Sequence, residues 1–251
     1  MSLLKKPAKK ISYSVFTDPG NREINEDSVG VFKKNKDYCF VLCDGLGGHG
    51  MGDIASSLAV KVIGSQFENQ HDNKIFLKDA IPSAHSIILT EQIQKKASGK
   101  MKTTAVVAVI SDGKINMIHI GDSRGYIFDK KNSYQRTLDH SVPQMMVISK
   151  QIKEEEIRNH PDRSVVLKAI GANIDTNIQF DSMKPINENK VRALLLSSDG
   201  FWELITEDKM ILHLNESRSA EEWLQRMVTD VREQGKDIDM DNFSAIAVWI
   251  E

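Results

Sequence analysis

Cysteine, net charge and long apolar runs are all scarce in this sequence. Two of its 251 residues are cysteine, and 33 basic residues nearly balance 35 acidic ones, which leaves a formal charge of −2. The apolar run at 105–110 is far shorter than the roughly 20 residues that span a bilayer, and the N-terminus lacks the apolar stretch of a signal peptide. We therefore expect a cytoplasmic protein whose partners are neither membranes nor nucleic acids.

Neither cysteine fits a catalytic thiolate. Cys39 and Cys43 lie four positions apart in a predicted strand, so their side chains share one face but are too far apart for a disulfide. A thiolate that attacks phosphorus needs an arginine six positions later to cradle the phosphate, and Gly45 and His49 stand there instead. Both cysteines are predicted to be small core residues.

The chain is predicted to form one domain. Forty per cent of its residues are apolar, enough for a sizeable core, and no repeat or linker divides residues 12–251, which follow a short basic tail at 1–11. Runs rich in β-branched and aromatic residues predict strands at 12–17, 28–33, 38–43, 103–110, 114–120, 124–128, 191–197 and 244–250. Apolar residues at helical spacing predict helices at 53–68, 74–94 and 219–233.

The order of these elements predicts the fold class. Successive strands are joined by tight turns and the helices come in blocks. This order favours an α+β fold, with antiparallel sheets covered by helices, over a doubly wound parallel sheet. The polar stretch at 139–171 interrupts the strand pattern, and such an excursion is either a functional flap or a surface insertion.

Acidic residues recur where predicted strands begin or end. They are Glu26, Asp27, Asp44, Asp122, Asp199 and Asp241. A single Asp-Gly pair is usually an ordinary turn, but a sheet can bring several strand ends together. Converging carboxylates stay ionised together only when a cation neutralises them. Oxygen ligands without a histidine or cysteine pair suit Mg²⁺ or Mn²⁺ better than Zn²⁺, so the pattern predicts a magnesium or manganese site.

Three other patterns indicate weaker hypotheses. Residues 45–50 match GxGxxG, but no acidic residue ends an apolar strand about 20 positions later, as a dinucleotide site requires. The acidic run that begins at Asp237 resembles the start of an EF-hand, but the glycine and closing glutamate of a calcium loop are missing. Thr103 and Thr104 open a strand without an adjacent base, so we interpret them as structural residues.

Five short motifs follow one another along the chain. They read REINED at 22–27, DGLGGH at 44–49, GDSR at 121–124, SDGFWE at 198–203 and DNFS at 241–244. In this order and spacing they resemble the type 2C (PPM) metal-dependent serine/threonine protein phosphatases, the bacterial branch in particular, from about residue 12 to the C-terminus. The resemblance implies a four-layer α-β-β-α sandwich of two packed antiparallel sheets, with a flap at about 139–171.

The resemblance also implies a set of metal ligands. Asp44 would bridge two ions, Mn²⁺ or Mg²⁺, while Asp199 and Asp241 would complete the coordination of one of them. The carbonyl oxygen of Gly45 would reach the other ion. Asp122, together with Asp199, would support a third and weaker ion.

Further residues take roles around these ions by the same resemblance. Glu26 and Asp27 would hold metal-bound waters, and Arg22 would grip the substrate phosphate with its guanidinium fork. His49 is the candidate that donates a proton to the leaving alkoxide, and a purely local hydrogen bond is the alternative for it. His140, in the flap, is interpreted as structural.

Two positions depart from the family pattern. Lys102 precedes the threonine pair where the family usually has glycine, and Asp53 stands where glutamate is usual at the start of the first helix. An aspartate still suits a helix N-terminus. Neither residue is among the proposed metal ligands, so both departures leave the implied activity in place.

The implied reaction is hydrolysis of phosphoserine and phosphothreonine in proteins, by a hydroxide that bridges two ions and without a phosphoenzyme intermediate. Phosphoprotein substrates, an opposing serine/threonine kinase, a signalling role and a monomeric state are expected with it. Two alternatives stay open. A metal-dependent phosphodiesterase or nuclease is disfavoured by the balanced charge, and a catalytically inactive binding module is disfavoured because Asp44, Asp199 and Asp241 are all present.

Overall fold

The computed structural model describes residues 9–46, 50–70, 72–172 and 177–251. The strands are β1 (Ile11–Asp18), β2 (Asp27–Lys34), β3 (Asp37–Asp44), β4 (Ala105–Ser111), β5 (Lys114–Ile120), β6 (Arg124–Asp129), β7 (Tyr134–Arg136), β8 (Asp181–Ser182), β9 (Ile186–Asn187), β10 (Val191–Ser197) and β11 (Phe243–Ile250). The α-helices are α1 (Gly52–Asn69), α2 (Asn73–Gln94), α3 (Val142–Ile148), α4 (Asp199–Trp202), α5 (Glu207–Glu216) and α6 (Ala220–Gly235). Two 3₁₀ helices span Glu154–Asn159 and Glu188–Lys190.

The strands form two antiparallel sheets. One has the order β1-β11-β10-β6-β7, and the other has the order β2-β3-β4-β5-β8 with β9 also paired to β5. β3 and β4, which precede and follow the helices α1 and α2, are antiparallel neighbours. A dinucleotide site needs parallel strands around its crossover helix, so this topology excludes the hypothesis drawn from the glycine pattern at 45–50.

Alternating side chains along β3 build two different layers of core. Cys39, Val41 and Cys43 pack with the buried faces of α1 and α2. Phe40 and Leu42 point the other way, into the layer between the two sheets. Each such large apolar side chain contributes roughly 1.5–3 kcal/mol when fully buried. Because both faces are covered, the strand is almost continuously apolar.

The second sheet shows the same alternation along β11. Ala245, Ala247 and Trp249 belong to the cluster that includes residues of α5 and α6, and Ile246 and Val248 face the other sheet. Two sheets therefore share a central core, and each carries helices on its outer face. The predicted α+β fold, a four-layer α-β-β-α sandwich, is confirmed.

All of the predicted strands and helices form, with small shifts at their ends. The strand predicted at 103–110 begins at Ala105, because Thr103 makes only isolated bridges, to Gly45 and to Ile170. The sequence reading missed α4, α5 and the short strands β7, β8 and β9. The signal for α5 was present: Thr206 caps the helix, and Met210 is buried within it.

The polar stretch at 139–171 folds against the edge of the sandwich. It contains α3 and the 3₁₀ helix Glu154–Asn159. Isolated bridges join Ser141 to Val166 and Thr103 to Ile170, which fasten both ends of the stretch. Across the parts of the chain that the structure describes, every helix is too short or too polar to cross a membrane.

Candidate active site

The strand ends bring the predicted acidic residues together. Asp27 opens β2 and pairs directly with Asp44, which closes β3. Asp199 begins α4 just after β10, and Asp241 lies two residues before β11. Asp122 lies in the turn between β5 and β6. The antiparallel order places these ends at the same edge of the sandwich.

A cleft with a volume of about 790 Å³ opens at this edge. Most of the predicted site residues line it: Arg22, Glu26, Asp44, Gly45, Asp122, Asp199 and Asp241. Asp27 is buried and acts electrostatically on Asp44. His49, the predicted proton donor, lies outside the described residues.

Burial and mutual repulsion oppose ionisation of the deepest carboxyl groups. Burial is the largest cause that raises the pKa of Asp44 well above its ordinary value, and the charge of Asp199 is the next. The pKa of Asp122 is raised by burial and then by Asp199, and that of Asp199 by burial and then by Asp241. Asp44 and Asp199 therefore repel each other when both are ionised, and a bound cation would offset that repulsion.

The two acidic residues that open β2 have raised pKa values as well. Burial raises the pKa of Asp27 to about 7. Its Oδ2 atom accepts a hydrogen bond from the hydroxyl of Ser198 at 2.8 Å, but its buried Oδ1 atom has no hydrogen-bond partner in the described structure. The pKa of Glu26 is raised chiefly by burial, against a lowering hydrogen bond from the backbone of Gly52.

These residues fit a pair of hard divalent cations. The donors are carboxylate and carbonyl oxygens, which Mg²⁺ and Mn²⁺ prefer. Burial is the main cause of the raised carboxyl pKa values, and a cation would offset both the loss of solvation and the repulsion among the carboxylates. The buried Oδ1 atom of Asp27 has no hydrogen-bond partner among the described residues, so it leaves an acceptor free, as a residue that holds water beside a metal would.

Two threonines hold the backbone of Asp44 in place. The hydroxyl of Thr103 and the backbone N–H of Thr104 both donate to the carbonyl oxygen of Asp44, at 2.8 Å each. The hydroxyl of Thr104 accepts from the backbone N–H of Asp44 at 3.0 Å and shares a 2.6 Å hydrogen bond with Ser123. The threonines thus support an acidic residue, and their contacts agree with the structural interpretation.

Asn242 fixes the loop that carries Arg22 and Glu26, a role that sequence reasoning missed. Its amide donates to the carbonyl oxygens of Pro19 and Ile24 at 2.9 and 3.0 Å, and its oxygen accepts from the N–H of Glu26 at 2.7 Å. The signal was the asparagine in the motif at 241–244, for which no role was assigned. The buried amide sets the position of the loop relative to β11.

Arg22 forms a fork on a predicted metal ligand. Its Nε and Nη2 atoms donate to the two carboxylate oxygens of Asp241 at 3.1 and 3.3 Å, and its Nη1 atom donates to Asp239 at 3.3 Å. All three side chains are largely exposed. The guanidinium therefore lies at the mouth of the cleft, where it occupies both carboxylate oxygens of Asp241.

A buried ion pair joins the flap to the site. Arg124 donates to both carboxylate oxygens of Asp139, at 2.9 and 2.6 Å, and both side chains are 1% exposed. The guanidinium lies 3.3 Å from the centre of the Trp202 ring, and the Trp202 indole N–H donates to the carbonyl oxygen of Asp122 at 3.0 Å. The base of the flap is thus connected to the turn that carries Asp122.

His140 is engaged in structural hydrogen bonds. Its Nδ1 atom accepts from the N–H of Gly121 at 3.1 Å, so its proton is on Nε2, which lies 2.8 Å from Asp181. The ring stacks on His119, with centroids 4.8 Å apart. Potential ligand atoms of these two histidines and Asp181 lie within 4.8 Å of one another. A metal on Nε2 would have to displace that proton, so the contacts favour the structural interpretation of His140.

The remaining patterns are resolved by burial and topology. Cys39 and Cys43 are fully buried and free, and burial raises the pKa of both thiols. Protonated thiols enclosed in a core are poor nucleophiles. The acidic run at Asp237 leads into β11, which begins at Phe243, so a strand occupies the second half of the supposed EF-hand loop.

Comparison with known proteins places the chain among phosphatases. The sequence model of one family, described as protein phosphatase 2C, matches residues 20–243. The serine/threonine phosphatase stp of Listeria welshimeri is 29% identical over 241 residues, 92% of this chain and 93% of the relative. The crystal structure of serine/threonine phosphatase Stp1 from Staphylococcus aureus superposes with a TM-score of 0.88 at 26% identity, covering 100% of this chain and 99% of that one.

A third relative shares the fold at lower identity. It is a crystal structure of the catalytic domain of the serine/threonine protein phosphatase PstP in complex with two manganese ions, with a TM-score of 0.78 at 22% identity. It covers 96% of this chain and 98% of that one. The family match and the relatives, together with the two-sheet sandwich and its acidic cleft, define a protein phosphatase. The chain belongs to the protein phosphatase 2C family, and the predicted family and enzyme class are confirmed.

Proposed function

We propose that this chain hydrolyses phosphoserine and phosphothreonine in proteins with two bound Mn²⁺ or Mg²⁺ ions and without a phosphoenzyme intermediate. The observation that carries the proposal is the convergence of Asp44, Asp199 and Asp241 in one cleft at the sheet edge. The serine/threonine phosphatases to which the chain is similar support the substrate class. The manganese ions of PstP support the cofactor.

Five groups would hold the ions. Asp44 would bridge two of them, Asp199 and Asp241 would complete one, and the Gly45 carbonyl would reach the other. Asp122, with Asp199, would support a third and weaker site. When bound, such ions supply Lewis acidity toward the phosphoryl oxygens and lower the pKa of water toward neutrality.

The residues around the ions position water and substrate. Glu26 and Asp27 would accept hydrogen bonds from waters at the site, with Asp27 oriented by Ser198. Arg22 would leave Asp241 and bind the phosphoryl oxygens of the substrate. A guanidinium can bind either a carboxylate or a phosphoryl group with two N–H groups. His49 would donate a proton to the alkoxide that leaves.

A direct displacement suits the side chains of this cleft. Its lining residues in the described structure include no cysteine, and both thiols of the chain are buried in the helix-facing core. The expected substrates are phosphoproteins, in opposition to a serine/threonine kinase and in signalling. The protein is expected to act as a cytoplasmic monomer, without nucleic-acid or membrane partners.

Phosphate release from a phosphothreonine peptide tests the proposal. With Mn²⁺ we expect turnover that excess EDTA abolishes, because the carboxylate cluster needs a cation to present a nucleophilic water. p-Nitrophenyl phosphate should be hydrolysed far faster than its bis(p-nitrophenyl) diester. Absence of turnover from folded protein with Mn²⁺ would favour the binding-module alternative, and preference for the diester would favour the phosphodiesterase.

Substitution of Arg22 separates its two contacts. In Arg22→Lys we expect the KM for the peptide to rise about 10- to 100-fold, because hydrogen bonds to a charged group contribute about 1.5–3 kcal/mol and a lysine cannot form the fork. Affinity for Mn²⁺ should be equal or higher, since Asp241 loses a competing partner. Arg226→Lys, at an exposed pair with Glu222, is the matched control. Weakened Mn²⁺ binding with an unchanged KM would show that Arg22 serves Asp241 alone.

A further inference from the structure

Two lysines that line the cleft have no carboxylate partner among the residues that the structure describes. Lys102 and Lys168 both line the cleft and are half-buried. Neither makes an ion pair within 4.0 Å among residues 9–46, 50–70, 72–172 and 177–251. Arg22, which also lines the cleft, is already bonded to Asp241 and Asp239. Within the described part of the chain, the two ammonium groups are therefore without an ion pair and can bind a further anion.

The backbone holds the two lysines close to Asp44. Thr103 and Ile170 exchange backbone hydrogen bonds of 3.1 and 2.9 Å, so the segments that carry the lysines lie side by side. The carbonyl oxygen of Lys102 accepts from the N–H of Leu46 at 2.9 Å. The hydrogen bonds from Thr103 and Thr104 to the carbonyl oxygen of Asp44 connect the segment of Lys102 to Asp44. An anion bound here would lie at a fixed offset from the reacting phosphate.

Asp181, a carboxylate that Lys168 affects electrostatically, has His140 as its hydrogen-bond partner. Asp181 accepts from His140 at 2.8 Å, and the positive charge of Lys168 contributes to the lowering of the Asp181 pKa, after the hydrogen bond from His140. Lys168 thus acts on Asp181 through space without contact. Because this ammonium group has no ion pair within 4.0 Å among the described residues, it can bind solvent or a ligand in the cleft.

The cleft has room for more than a phosphorylated side chain. Its volume of about 790 Å³ lies within the range of about 300–1,000 Å³ of pockets that enclose whole ligands. Under the proposed function, bound ions offset the charge of the carboxylates beneath. The lysines then remain as positive groups on a wall that faces the residues beside the phosphorylated one.

We propose that Lys102 and Lys168 select substrates that carry an acidic side chain next to the phosphorylated serine or threonine. The inference rests on the proposed function and names a substrate class for it. The lysines bind the flanking carboxylate and take no part in the hydrolysis, which is assigned to the acidic cluster of the cleft. Exposed ion pairs are weak individually, so the preference is moderate and depends on salt.

Matched phosphothreonine peptides test the selection. One peptide carries glutamate on both sides of the phosphothreonine, and the second carries glutamine at the same positions. We expect kcat/KM to be roughly three- to tenfold higher for the glutamate peptide at low salt. The ratio should approach one near 1 M salt, where the screening length is about 3 Å.

The variants assign the preference to the two lysines. In Lys102→Met/Lys168→Met we expect the glutamate-to-glutamine ratio to fall close to one, with each single variant intermediate. Lys61→Met, on the exposed face of α1, should keep the wild-type ratio. Because the readout is a ratio between two peptides, a general loss of activity in a variant does not mimic the result.

Hydrolysis of p-nitrophenyl phosphate keeps the two hypotheses apart, since that substrate has no flanking residues. Manganese-dependent turnover of it, together with equal kcat/KM for the two peptides, would overturn the selection and leave the proposed function intact. An unchanged ratio in the double variant would overturn it as well. A doubly phosphorylated peptide is the last arm: preference for a second phosphoryl group without preference for glutamate would refute the assignment to acidic side chains.

Discussion

In Asp199→Asn we expect kcat/KM for a phosphothreonine peptide to fall by more than about 100-fold while the protein stays folded. Loss of a residue that only supports a ligand costs about 10- to 100-fold, and Asp199 is proposed as a direct ligand. Asparagine keeps the shape and the oxygen that accepts from the N–H of Gly200 at 2.6 Å. It removes one of the charges that raise the pKa of Asp44, so the protein in EDTA should be at least as stable as wild type.

Thermal unfolding supplies the second readout of this variant. Mn²⁺ at 100 times its Kd stabilises a protein by about 2.7 kcal/mol, and each kcal/mol shifts the Tm of a chain of this size by about 2–4 °C. We therefore expect Mn²⁺ to raise the wild-type Tm by about 5–10 °C and to raise that of Asp199→Asn much less. Asp79→Asn, at an exposed position of α2, is the control and should behave as wild type. Wild-type turnover in Asp199→Asn would refute the ligand assignment.

In Arg124→Met we expect the free energy of unfolding to fall by about 3–5 kcal/mol. The change leaves the carboxylate of Asp139, 1% exposed, without its two-pronged partner, and an uncompensated buried charge costs that much. Arg136 keeps one contact of 3.2 Å with Asp139, which favours the lower end of the range. Urea denaturation measures the change, and kcat should fall too because Trp202 loses the guanidinium that packs on its ring.

A surface pair and a double variant serve as controls for this buried pair. Arg226→Met breaks exposed pairs with Glu216 and Glu222 and should cost less than about 1 kcal/mol. Arg124→Met/Asp139→Leu should be less destabilised than the sum of the single variants, since no buried charge is left alone. A loss below about 1 kcal/mol in Arg124→Met would show that the flap is not anchored by this pair.

The sequence predicted the convergent carboxylates because their positions follow from local rules. Asp44 and Asp199 stand where apolar strands end in Asp-Gly turns, and alternation along β3 and β11 indicates strands buried on both faces. Antiparallel strands with short connections return their ends to the same edge, so a local pattern has a tertiary consequence. The layered fold follows from the same alternation.

Other features depend on which distant residues meet, and local patterns do not encode them. In the sequence, Arg124 and Asp139 are indistinguishable from surface charges, and only the folded flap shows that they form a buried pair. The fork of Arg22 on Asp241 joins residues 219 positions apart, and the motif that contains Asn242 does not indicate which groups of the loop at 19–26 this side chain bonds. α5 was missed because its apolar face is narrow and it lies between stronger elements.

Calorimetric titration of the metal-free protein with Mn²⁺ shows whether the acidic cleft is the metal centre. We expect the wild-type chain to bind at least two ions and Asp199→Asn to lose at least one of them, in parallel with its loss of phosphate release. Equal Mn²⁺ binding by the two proteins, or none by the folded wild type, would contradict the assignment of this acidic cleft as the metal centre.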